Sequence, residues 1–314
     1  MNAPDYATLI DAETWAFIRA TESWYPPETA TFSIDRQRAI YDAMCRAFHR
    51  GYPAGVAATD RAFGGVPCRI YEAALPRATV VYFHGGGFVV GGLSSHDDVC
   101  AEICASSHCR VVSVDYRLAP EHHHPAHFDD ALAATRAAAA NFGGALILAG
   151  DSAGGNLAAA VAHAGRRDPL DLRGQVLIYP GLGGARDRGS YLTHANAPML
   201  TADDVDFYAR TRFADGREPA GDPTALPLRD HDFSGLPPTL VFAAECDPLC
   251  DDGPAYAARV RQAGGHAHAI VEHGLVHGYL RARHTVGRAA ASFAAICDGI
   301  GALARDEIPW RGAL

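Results

Sequence analysis

The chain has 314 residues, 48% hydrophobic and 20% charged, with a formal net charge of −9. This is ordinary globular composition with enough apolar residues for a sizeable core, and the length suits one large α/β domain plus a small lid as well as two domains. The acidic balance and the lack of any Lys/Arg-rich run exclude nucleic acid as a partner, and no uninterrupted apolar run of 18 residues is present to cross a bilayer.

Asp5, Asp11, Glu13 and Arg19 make the N-terminus unlike a secretory h-region, so a soluble cytoplasmic protein is expected. The eight cysteines are dispersed, with no tight C-x-x-C pair, and read as buried free thiols rather than a metal site or disulfide framework, Cys100, Cys104 and Cys109 included. Two helix-like stretches, 8–24 and 35–50, joined by the proline-containing YPPETATF, have apolar positions that share no tidy face. They need something to pack on, which predicts an N-terminal helical cap over 1–50 covering a larger domain over 51–314.

From residue 66 onward short apolar runs alternate with helical ones. VPCRIYEA (66–73) reads as an early antiparallel strand; 79–83, 110–114, 145–149, 175–179, 239–244 and 268–272 are rich in β-branched residues. Several lack period-2 alternation, as strands buried on both faces do. Helices are predicted between them over 125–142, 152–166, 251–265 and 285–301. Strands alternating with helices give a mostly parallel α/β sheet with right-handed crossovers. Residues 181–238 interrupt that rhythm and are read as a second cap segment.

Three places carry chemistry. GDSAG (150–154) fits G-x-S-x-G and puts Ser152 between a predicted strand and a predicted helix, where a tight turn exposes a nucleophile and a helix N-terminus faces any oxyanion. HGGGF (84–88) follows the strand 79–83; its glycines let amides turn into a cavity, so Gly86 and Gly87, with Ala153 after the serine, are candidate oxyanion donors, Gly85 shaping the turn. A serine also needs a base and the base a carboxylate. Asp247 lies just past strand 239–244 and His277 in the loop after strand 268–272, both at the strand C-terminal edge where open α/β sheets assemble their sites. Asp251 and Asp252 compete for the acid role but look placed to cap the next helix; His273 competes for the base but adjoins the strand.

These motifs, with DYRLAPEHHHPA (115–126) and DPLCDDG (247–253), together resemble the hormone-sensitive-lipase-like α/β-hydrolases, the bacterial family IV esterases, and within them the acetyl esterases. The resemblance spans roughly 65–305 and implies an α/β-hydrolase fold with a helical cap, hydrolysis of esters with short acyl chains, no cofactor, and Ser152, Asp247 and His277 as the triad. Glu121 is expected to be a hydrogen-bond partner near the site. The chain departs from the pattern in EHHHPA, where the family has an apolar residue before the proline; consecutive histidines point different ways, so no metal site is expected from His122, His123, His124 and His127.

The expected function is therefore a serine carboxylesterase acting through an acyl-enzyme on a small-molecule ester, with no metal, nucleic acid or membrane partner. A homodimer is compatible with the sequence. Rival readings are an amidase or arylformamidase-like hydrolase on the same triad, and a non-catalytic ligand-binding protein. Trp15, Trp24, Tyr25 and Tyr191 are candidate pocket-wall residues.

Overall fold

Runs of β-branched and aromatic residues form one eight-stranded sheet in a computed structural model that describes residues 4–308 and 310. Residues 1–3, 309 and 311–314, at the ends of the two segments expected from sequence, lie outside the described residues. The strands are β1 (Ala57–Phe63), β2 (Val66–Glu72), β3 (Thr79–Phe83), β4 (Arg110–Val114), β5 (Leu146–Asp151), β6 (Leu172–Ile178), β7 (Thr239–Cys246) and β8 (Ala267–Val276). Their order is β1-β2-β4-β3-β5-β6-β7-β8, with β2 antiparallel to both neighbours and all other pairings parallel.

The α/β-hydrolase fold expected from sequence is the one observed. Successive residues of the central strands face opposite layers. Val80, Tyr82, Ile147 and Ala149 belong to one core cluster, and Val81, Phe83, Leu146 and Leu148 to the other. The helices, in chain order, begin with α1 (Tyr6–Leu9), α2 (Ala12–Glu22), α3 (Ile34–Phe48), α4 (Asp97–Ser107), α5 (Ala126–Phe142) and α6 (Ala153–Gly165). They continue with α7 (Ser190–Thr193), α8 (Ala202–Arg212), α9 (Asp252–Gln262) and α10 (Gly287–Ala304). Residues of α2, α4 and α10 build the first core; α5, α6 and α9 build the second.

Outside residues 181–238, one strand and one long helix depart from the expected set. Strand β1 was not foreseen because only Phe63 of its seven residues is buried, so it carries no apolar pattern. Helix α4 was likewise missed: seven of its residues are buried, around much of its circumference, which blurs a helical stripe. The N-terminal helices carry local signals, with Asp11 capping the Thr14 amide and Ser33 that of Arg36. Helix α8 opens on a capping box between Thr201 and Asp204.

Candidate active site

Ser152 sits where β5 turns into α6, with φ 54° and ψ −116°, a conformation costly for a residue with a Cβ. The flanking glycines make that turn sterically feasible. A Cβ on Gly154 would lie 1.8 Å from the Phe83 carbonyl oxygen, and one on Gly150 would lie 2.4 Å from that of Gly154. The turn is tied to the sheet by the Ser152 amide, which donates to Ile178 O at 2.8 Å.

The two partners expected from sequence converge on this serine. Asp247 is fully buried just past β7, and His277 follows β8. His277 Nδ1 lies 2.6 Å from Asp247 Oδ2 and His277 Nε2 lies 2.8 Å from Ser152 Oγ. A carboxylate facing Nδ1 favours the tautomer protonated there, leaving Nε2 to accept the serine proton. Asp247 is itself held by the Leu249 amide, 2.9 Å from Oδ1.

The competing residues have other work. His273 is largely exposed and faces Glu245. Asp251 and Asp252, expected as helix caps, make no side-chain cap to α9. Asp251 instead accepts from the Ser190 amide, and Asp252 from the amides of Leu182 and Gly184 and the Tyr191 hydroxyl. Both therefore anchor the 181–238 insertion, a demand that short-range sequence cannot display. Burial pushes the Asp252 carboxyl up to about 6.

In the glycine loop, the Gly85 amide donates to Asp151 Oδ1 at 2.9 Å and is already engaged. Among the described residues no protein acceptor takes the amides of Gly86, Gly87 or Ala153. Gly86 has φ 124°, and a Cβ there would strike the Val90 carbonyl at 2.1 Å. Gly87 is covered by the Tyr208 ring of α8, which a Cβ would meet at 2.2 Å.

Sequence reasoning missed Asp151, although it lies inside the motif. Its buried carboxylate accepts from the Tyr82 hydroxyl at 2.8 Å as well as from Gly85, and lies 3.2 Å from His96 Nε2. Burial alone would raise this carboxyl; the neighbouring His96, the Tyr82 hydroxyl and the Arg281 guanidinium outweigh it and hold it well below the usual carboxylate range. The carboxylate thus ties the first glycine of the loop to the elbow.

Glu121 makes no contact with the triad. It forms a two-pronged pair with Arg38 of α3, at 2.8 and 2.7 Å, and Arg38 also donates to the carbonyls of Val89 and Ala119. The pair fastens α3 to the chain just beyond the glycine loop and lowers the Glu121 carboxyl to about 2. The neighbouring histidines also dock the 181–238 insertion. His123 faces Thr211 O, His124 faces Asp222, and His127 accepts from Arg212 Nε at 3.1 Å. Elsewhere Asp98, Glu102 and His284 come close enough for a cation, but Arg283 already pairs with both carboxylates.

Ser152 opens into a cavity of about 740 Å³. Its walls come from the N-terminal segment (Tyr25, Tyr41), the glycine loop, α8 with its preceding loop, and the turn after His277. Of the aromatic residues expected there, Tyr25 and Tyr191 line it. Trp15 instead packs on the core and Trp24 is 41% exposed. No helix among the described residues is long and apolar enough to cross a membrane.

The arrangement has a serine hydroxyl, an imidazole facing it and a carboxylate, and backbone amides without protein acceptors among the described residues at a cavity wall, which is what acyl transfer requires. Comparisons with known proteins agree. Residues 80–281 match the model of a family described as alpha/beta hydrolase fold. The carboxylesterase NlhH of Mycobacterium tuberculosis is 39% identical over 240 residues, covering 72% of this chain and 74% of that protein. An ethyl acetate hydrolase of Pseudomonas putida is 36% identical over 229 residues, covering 69% and 72%. A hyperthermophilic esterase from Pyrobaculum calidifontis superposes with a TM-score of 0.83 at 31% identity, over 94% of this chain and 99% of that one. The chain belongs to the α/β-hydrolase fold family, in its hormone-sensitive-lipase-like branch of carboxylic ester hydrolases.

Proposed function

We propose that this protein is a serine esterase that cleaves short-chain, acetyl-type acyl esters through Ser152, His277 and Asp247 by way of an acyl-enzyme. The observation that carries the reading is the unbroken relay Ser152 Oγ–His277 Nε2 (2.8 Å) and His277 Nδ1–Asp247 Oδ2 (2.6 Å) at a cavity wall. His277 takes the Ser152 proton as Oγ attacks the ester carbonyl, and the amides of Gly86, Gly87 and Ala153 hold the negative charge that develops. The alcohol leaves with the proton from His277; water, activated by the same imidazole, then releases the acid. Asp247 orients the ring and stabilises its cation. Losing one amide donor in such a hole costs about 3 kcal/mol of transition-state stabilisation.

The short acyl preference is supported by the Tyr208 ring, which occupies the space beside Gly87, next to the donor amides. The name of the Pseudomonas putida relative points the same way. We read residues 1–50 and 181–238 as a two-part cap, since both contribute cavity wall. The test is hydrolysis of p-nitrophenyl esters from C2 to C12 by wild type and Ser152→Ala. The expected result is a maximum at C2 to C4 and a loss of about 10⁴-fold or more in the variant. Turnover that survives in Ser152→Ala, or a maximum at C10 to C12, would refute the triad or the chain-length reading respectively.

A further inference from the structure

Of the arginines lining the active-site cavity, Arg210 is exposed and one other has no side-chain partner. Arg186 pairs with Asp206 and Glu218, and Arg212 is bonded to His127, Asn156 and the Ala225 carbonyl. Arg281, four residues beyond His277, lines the same cavity, and its side chain makes no hydrogen bond or ion pair among the described residues. Its Nε is buried and unpartnered. Its guanidinium lies against Gly278, where a Cβ would come within 2.6 Å of Nη2, so the residue next to the base is the one that makes room for it.

Nearby groups do not discharge it. The Tyr41 ring lies 5.7 Å from the guanidinium carbon, a cation–π contact that satisfies one face and no N–H. Asp151 feels the field of Arg281, but its carboxylate is already taken by Tyr82, Gly85 and His96. A guanidinium is always charged and offers five donors in a planar fork suited to a carboxylate. Leaving the Nε–H buried without an acceptor at an otherwise largely apolar wall is costly unless a ligand completes the fork.

We propose that Arg281 is an anion-recognising specificity residue and that the preferred substrates are esters bearing a carboxylate on the acyl or the alcohol side, such as hemi-esters of dicarboxylic acids. This rests on the esterase reading above. The carboxylate would pair with the guanidinium while the ester carbonyl lies at Ser152, so Arg281 selects the substrate and takes no part in proton transfer.

Two matched pairs of substrates test the idea, with acid release followed by pH-stat. Monoethyl succinate against ethyl levulinate places the carboxylate, or a ketone of the same shape, on the acyl side. Acetoxyacetate against acetoxyacetone places it on the alcohol side. In at least one pair the wild type should prefer the anionic ester by roughly 10- to 100-fold in kcat/KM, the scale of a hydrogen-bonded charge pair. That ratio should collapse toward one in Arg281→Met, carried by KM, and be largely retained in Arg281→Lys. A wild-type ratio near one in both pairs would overturn the proposal whether or not the variants fold. So would a ratio that persists in Arg281→Met. Failure of the wild type on all four esters would sink the esterase reading and the subsite with it, whereas turnover of the neutral esters without anionic preference sinks the subsite alone.

Discussion

Replacing Asp151 by Asn should separate the support of the site from its chemistry. The carboxylate is buried, with Oδ1 accepting from the Gly85 amide at 2.9 Å and the Tyr82 hydroxyl at 2.8 Å. Oδ2 lies 3.2 Å from His96 Nε2 and 3.4 Å from the Tyr179 hydroxyl. Asparagine keeps one carbonyl for Gly85 and Tyr82 but turns an NH₂ toward His96 and Tyr179, and it removes the charge. Losing two charge-assisted contacts in a buried network corresponds to about 2–4 kcal/mol. For a chain of 314 residues the unfolding entropy is about 0.7 kcal/mol per kelvin, so Tm should fall by about 3–6 °C. Asp151→Ala also releases the Gly85 amide and with it the start of the oxyanion loop, so its kcat on p-nitrophenyl acetate should fall about tenfold further than that of the Asn variant. Thermal unfolding by circular dichroism and steady-state kinetics at pH 7 read both quantities. An Asn variant within about 1 °C of wild type, together with an Ala variant of unchanged kcat, would refute the view that this carboxylate holds the loop in place.

Gly154→Ala sets a Cβ 1.8 Å from the Phe83 carbonyl oxygen. Phe83 lies in β3, paired on both sides, and cannot retreat. The variant should be destabilised by about 3 kcal/mol or more and lose esterase activity; wild-type Tm and kcat would contradict the steric account. Acid should destabilise the fold through its buried histidines. Burial lowers His84 and His163 to about 4. Both then lie below their unfolded value near ~6.5, so the unfolded chain binds more protons across that window. Stability should therefore fall as pH drops from about 6.5 to about 4, and Glu121, lowered to about 2 by Arg38, carries the fall further. Asp252, raised to about 6 by burial, opposes this over part of the range. A Tm that holds constant from pH 7.5 to 4.5 would exclude the histidine effect.

Strands β3, β4 and β5 could be read almost to the residue because both of their faces are covered, so nearly every position is apolar and the run stands out from its flanks. Strand β1 offered nothing comparable. Its residues Ala57–Ala62 are exposed or half-buried, and its place in the sheet comes from backbone pairing with β2, which leaves no mark on side-chain type. The caps assigned to Asp251 and Asp252 failed for a related reason: an acidic residue at a helix start has the same composition whether it bonds the helix amides or a loop 61 or 70 residues earlier.

The same division runs through the site. Ser152, Asp247 and His277 could be singled out as candidates from local rules, since each stands at a strand C-terminal end and the order of the three along the chain is constrained by the sheet. Glu121 illustrates the limit of such rules, because the residue that decides its role, Arg38, comes from a helix 83 positions earlier. Arg281 lies further beyond them. An arginine four residues after a catalytic histidine is unremarkable as sequence, in a chain with 27 basic and 36 acidic residues available to pair. Its meaning comes from what fails to meet it after folding, when Arg186, Arg212 and Arg283 have each found partners and Arg281 faces the cavity without one. The motifs around Ser152, Asp247 and His277 can thus be read along the chain, whereas which charges the fold leaves unpaired is a property of the whole packing.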